Sequence, residues 1–310
     1  MQKKWIKSVN RLFLVLVLSG IVVPLLFGRL LAGLRMEWLM VVSQLLYLVP
    51  VLLYMACKRV RPGDWMPFRG IRFSAFFMLI LFSLLLMPLV TFINLCSMMF
   101  VTNQVTEISV GLQQNSVLLN LLLMAVIPAA SEGFIFRGIF YHAYREKGVL
   151  MGALACGMVF GLLHLNFNQF SYALVLGIIL CLVVEATGSI FGSMTVHFVI
   201  NGWNVLLMAL SRPLQDIAQS MGGEVESVAF TRQELLLSLG VYGILALVCT
   251  SLAACALVWI SRQCGRLEHM KWCFTRKKRV PGERRTFLTP CLVLAICLCV
   301  GYMLFSEWIG

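Results

Sequence analysis

Runs of about twenty apolar residues, each closed by a short polar break, repeat along nearly the whole chain. About twenty helical residues cover the hydrocarbon core of a bilayer. Nine runs meet that length: 12–33, 37–57, 74–100, 117–141, 149–166, 171–186, 189–210, 235–261 and 288–307. The pattern predicts an all-α, polytopic transmembrane helical bundle of eight to nine spans, with a cavity inside the membrane where polar residues interrupt the runs. The first run follows "MQKKWIKSVNR" and has no small-residue cleavage site, so it reads as a retained anchor helix. The breaks near 167–170 and 187–189 carry no Lys or Arg, so loop charge does not set the cuts between the runs there. The longest polar stretch, 211–234, reads as an extracytoplasmic connector.

Composition turns this pattern into a class. Hydrophobic residues make up 60% of the 310, charged residues only 12%, and mean hydropathy is +0.91. A soluble domain carries about a quarter charged residues, so the chain is read as an integral, multi-pass membrane protein. The net charge of +12 would suggest nucleic acid in a soluble protein. Here the basic residues sit in alternate loops, notably Lys58–Arg72 and Arg262–Arg285, which is the signature of cytoplasmic loops facing anionic lipid and argues for no nucleic-acid partner. With nine spans, the same rule puts the N-terminus in the cytoplasm and the C-terminus outside. Most of the eleven cysteines lie in apolar runs and behave as small hydrophobes. Cys264, His269 and Cys273 share a loop, but their spacing fits no standard zinc pattern.

Three places put polar groups where lipid does not favour them. An ionisable residue in a span costs roughly 2.5–3.5 kcal/mol on insertion scales and marks a functional site by default. Glu132 and Arg137 lie in the fourth run, just after Pro128, which removes a backbone hydrogen bond and bends the helix. "FGLLHLNF" spaces Phe160 and His164 four apart, and "HFVIN" spaces His197 and Asn201 four apart, each on one helix face. A helical rise of about 1.5 Å per residue puts Glu132 roughly 20 Å and His164 roughly 24 Å from the loop at 145–147. His197 and Asn201 fall roughly 13 and 19 Å from the loop near 186–188. Groups from three helices thus reach similar depth, as one shared site requires.

One carboxylate, two imidazoles and an amide form a hydrolytic set. The carboxylate can take a proton from water, the imidazoles can hold that water or a Zn2+ ion at His164 and His197, and the amide can donate to an oxyanion. Glu185, near a span end, is expected to reach water, and His142 and Tyr144 to sit at the interface.

"EGFIFRG" (132–138), "FGLLHLNF" (160–167) and "TGSIFGSMTVHFVINGWN" (187–204) resemble, in order and spacing, the three motifs of the CPBP intramembrane proteases. That family includes CAAX prenyl endopeptidases and bacteriocin-processing or self-immunity proteins. The resemblance covers about 117–207. It implies a membrane metalloendopeptidase or metal-free protease in which Glu132 activates water, His164 and His197 position it or bind metal, Asn201 stabilises the oxyanion, and Arg137 holds the site's shape. It implies a membrane-bound peptide or protein substrate, prenylated or carrying a leader, and a place in a bacterial cytoplasmic membrane. The organisation expected is N-terminal helices over 1–115, a catalytic core over 116–210, and a loop with C-terminal helices over 211–310. The family pattern usually has two adjacent glutamates; here the second position is Gly133. That departure keeps open a non-catalytic scaffold or self-immunity protein, and a proton-coupled transporter using Glu132 is a third class.

Overall fold

In the computed structural model the described residues are 3–101, 111–112, 114–220, 231–275 and 287–309. They are almost wholly helical, with no strand among them. The helices are α1 (Lys3–Leu31), α2 (Met36–Lys58), the single turn α3 (Pro62–Trp65), α4 (Phe73–Met98), α5 (Val117–Lys147), α6 (Val149–Leu162), α7 (Phe167–Thr187), α8 (Ile190–Ser220), α9 (Arg232–Gln263), α10 (Leu267–Phe274) and α11 (Pro290–Ile309). Eight of these are long and apolar enough to cross a membrane. The chain is an integral, multi-pass membrane protein.

The fifth expected span is shorter than the sequence pattern implies. Run 149–166 holds a 14-residue helix, α6, about 21 Å long. The chain then turns at 163–166 and re-enters α7. The turn supplies its own polar partners. His164 and Leu165 donate their N–H groups to Gly161 and Leu162, Tyr47 on α2 donates to the Leu163 carbonyl at 3.3 Å, and Asn166 caps α7 by accepting from the Gln169 N–H. Irregular backbone at membrane depth is tolerated when protein satisfies it in this way.

α6 and α7 form a close hairpin because small residues let their backbones meet. A Cβ added at Gly157 would lie 2.6 Å from the Leu174 carbonyl oxygen, and one at Gly177 would lie 2.8 Å from the Gly157 Cα. Gly157 and Gly161 form the small-xxx-small spacing that brings membrane helices together.

The α7–α8 corner is the "TGS" stretch. Gly188 takes the left-handed conformation (φ +68°), which side chains disfavour. The Thr187 hydroxyl accepts from the Ser189 N–H, Ser189 Oγ donates to the Arg69 carbonyl, and the Ile190 N–H bonds to Pro67. α7 and α8 are thereby set antiparallel and tied to the α3–α4 loop. α8 itself runs on to Ser220, so helix occupies the first part of the stretch expected to be a connector. The rest of that stretch over 221–230, and the basic run at 276–285, lie outside the described residues.

The hairpin contact leads to a direct expectation. Gly157→Leu forces α6 and α7 apart and destabilises the fold by about 1–3 kcal/mol, read as a lower thermal midpoint in detergent. Gly240→Ala, where an added Cβ meets nothing within 4 Å, leaves the midpoint unchanged or slightly higher.

Candidate active site

Glu132 sits in the middle of α5, and α5 is not a plain α-helix. It is α-helical over Val117–Leu121, π-wound over Leu122–Val126, α-helical over Ile127–Glu132, π-wound over Gly133–Phe140, and α-helical again from Tyr141. In an α-helix, position i+5 lies about 140° round from i. Winding with i→i+5 hydrogen bonds brings those positions close to one face. Arg137 is five residues past Glu132, and its Nη1 reaches the Glu132 main-chain carbonyl at 3.5 Å. The bond goes to the backbone and leaves the carboxylate for the cavity.

Pro128 has no N–H for the Met124 carbonyl four residues earlier. Asn201 on α8 supplies the donor, with Nδ2 to that carbonyl at 2.9 Å. Ser131 donates to Gln44 of α2 at 2.5 Å, which ties the same stretch to a third helix. The bent segment of α5 is thus held by polar side chains from two other helices.

The expected site residues come together around one cavity of about 350 Å³, whose wall includes Glu132, Phe160, His164, His197 and Asn201. His197 Nε2 lies 3.7 Å from Glu132 Oε2. His164 is not on the α6 face, as the i, i+4 spacing suggests, but in the turn after it. Its Nδ1 still reaches back to the Phe160 carbonyl at 2.9 Å. A carbonyl only accepts, so a neutral His164 carries its proton on Nδ1 and leaves Nε2 as an acceptor. Next to it, Leu165 is left-handed (φ +53°), a conformation that is uncommon outside glycine and concentrates at functional sites.

Phe160 joins the charged and imidazole groups. The Arg137 guanidinium stands 4.5 Å over its ring, and its ring meets His164 and His197 edge-on at 5.0 and 6.0 Å. Arg137 is 2% exposed and lies behind the cavity wall. Gly133, where the family pattern has its second carboxylate, is closed off: a Cβ there would lie 2.8 Å from Met194 Cγ.

A second polar cluster lies at the far end of α5, and the sequence underrated it. Glu185, expected near water, is 1% exposed. Tyr141 donates to its Oε1 at 2.9 Å, Arg145 pairs with it at 2.9 Å, and His269 Nε2 lies 2.6 Å from Oε2. Arg266 bonds the Glu185 main-chain carbonyl at 2.6 Å and its side chain also packs under Gly188. Tyr144, expected at the interface, is fully buried and donates to Asn10 of α1 at 2.6 Å.

Among the described residues, the one group of three His, Cys, Asp or Glu donors within 4.8 Å of one another is Glu185, His269 and Cys273. It could hold a metal ion by composition, but two guanidiniums already stand at this carboxylate. Burial also pushes the Cys273 thiol up to about 11, so it is protonated at neutral pH. Glu132, His164 and His197 have the right donor chemistry for zinc but do not form such a group. A catalytic zinc site gathers three protein ligands round one point and keeps a fourth position open, and these three side chains do not come that close together.

The Pro128–Asn201 link is testable by stability. Asn201→Ala leaves the Met124 carbonyl unbonded, a loss of about 1–3 kcal/mol. In a Pro128→Ala background the restored N–H takes over that carbonyl, so the loss shrinks by at least about 0.5 kcal/mol in a double-mutant cycle of thermal midpoints.

Residues 114–203 match the family described as type II CAAX prenyl endopeptidase Rce1-like. No curated protein and no solved structure matches the chain.

Proposed function

We propose that this chain, which belongs to that family of membrane proteases through residues 114–203, is an intramembrane endopeptidase. It hydrolyses a peptide bond of a membrane-inserted substrate with water activated by Glu132. The observation that carries this reading is the meeting of Glu132, His164 and His197, from three separate parts of the chain, on one cavity wall.

The chemistry follows from the hydrogen-bonding roles. Water lies between Glu132 and His164, with one O–H directed at the carboxylate and the other at the Nε2 acceptor. A lone pair is then left for the substrate carbonyl carbon. Glu132 takes the proton as hydroxide adds. The oxyanion is met by the second N–H of Asn201, the first being spent on Met124, and by the Nε2–H of His197. The protonated Glu132 then delivers its proton to the leaving amine as the C–N bond breaks. Arg137 and Phe160 keep both imidazoles in register. No step calls on a metal. The catalytic core is placed in 116–210, with the N-terminus on the cytoplasmic side by the loop charges.

Gly133 favours a second reading, in which the fold persists as a membrane scaffold or self-immunity protein without cleavage. Peptide profiling of membranes separates the two. With cleavage, the products made by wild type fall by at least about a hundredfold in both Glu132→Gln and His164→Ala at equal protein levels. With a scaffold, the three profiles coincide. Products that persist in the presence of 1,10-phenanthroline support the metal-free route, and products that vanish overturn it.

A further inference from the structure

The cavity wall carries one acid and several neutral polar groups. Glu132 is its acidic residue, and Gln44, Gln169, Asn201 and Asn204 add four amides from three helices. Among the described lining residues there is no Lys or Arg. The guanidinium closest to the site, Arg137, is buried against Phe160 and the Glu132 main-chain carbonyl, behind the wall. A substrate carboxylate in this space would find no Lys or Arg, only the imidazoles of His164 and His197, and would face the Glu132 carboxylate. Like charges in a poorly hydrated cavity repel strongly.

Amides suit a different guest. A chain inside the membrane must unwind before its scissile bond can be attacked, which frees main-chain N–H and C=O groups that have no water to bond. A side-chain amide offers both a donor and an acceptor to such groups. Asn201 has one N–H spent on Met124, and Gln44 accepts from Ser131 while its NH2 serves the Glu132 carboxylate, so neither is wholly free for a guest. Gln169, in the first turn of α7, and Asn204, one turn past Asn201 on α8, lie beyond the reacting groups. A volume of about 350 Å³ is near the lower end of ligand pockets, about 300–1,000 Å³. It holds a short stretch of peptide.

Resting on the protease reading, we infer that the substrate of this site is an uncharged, extended, internal stretch of a membrane-inserted chain, held through its main chain by Gln169 and Asn204. A free C-terminal carboxylate is not selected.

The test uses the full chain in phosphatidylethanolamine–phosphatidylglycerol vesicles. The probes are a Lys-flanked membrane-spanning peptide with a Leu/Ala/Gly/Ser core, made as the free acid, as the C-terminal amide and with a neutral C-terminal extension. A farnesylated CAAX peptide with a free carboxylate is the fourth probe. Cleavage sites and rates are read by mass spectrometry. The expected result is cleavage of the three spanning peptides at the same bond, with kcat/KM within about threefold. Gln169→Leu and Asn204→Leu then raise KM by about fivefold with kcat little changed, the loss of one hydrogen bond each. A merely structural role for either amide would lower folded yield and kcat instead. A free acid cut at least about tenfold faster than the amide, or cleavage of the farnesylated acid alone, overturns the inference while the protease reading stands. An unchanged KM in both variants overturns the amide assignment. If none of the four probes is cut, both readings fall.

Discussion

Holding the Glu132 carboxylate at mid-depth costs roughly 2.5–3.5 kcal/mol on insertion scales, and much of the surrounding architecture offsets that cost. α5 cannot do so as a regular helix. Its π-wound turns carry Arg137 to the Glu132 carbonyl, and its proline opens a carbonyl that Asn201 closes. The short helix α6 ends inside the bundle, so that His164 arrives on a turn held by hydrogen bonds to Gly161, Leu162 and Tyr47. The glycine contact between α6 and α7 keeps that turn in place. The π turns, the proline and the early end of α6 each break a rule of regular helix formation, and Pro128 and His164 themselves line the cavity.

Glu185 obeys the same physics with the opposite outcome. It too is a buried carboxylate, but cations and a phenol surround it and no cavity among those described reaches it. Buried ions persist when they are paired and hydrogen-bonded. This one joins the end of α5 to α7, to α10 and to the turn before α10. α5 therefore carries two polar stations. One opens on a cavity, and the other fixes the end of the helix against three further segments. The contrast shows why intramembrane charge alone does not identify chemistry: what faces the carboxylate decides.

Apolar run length by itself determined that the chain is a helical membrane bundle, because every backbone group in lipid must bond within its own helix whichever neighbours it has. Intramembrane charge and equal depth were also enough to bring Glu132, His164, His197 and Asn201 to one place, since a constant helical rise converts sequence distance into depth. Tertiary structure alone decided where each polar group spends its hydrogen bonds. Arg137 goes to a backbone carbonyl, Asn201 to Met124, and Glu185 to residues 81 and 84 positions away. A polar atom in hydrocarbon takes whichever partner the packed helices bring within about 3 Å, and no spacing within its own run records which helix that is. The Gly157–Gly161 spacing was in the sequence, but it becomes a close contact only where Phe170, Leu174, Gly177 and Ile178 of α7 lie opposite. The π turns and the early end of α6 arise likewise, where packing and side-chain bonds outweigh the local preference for a continuous α-helix.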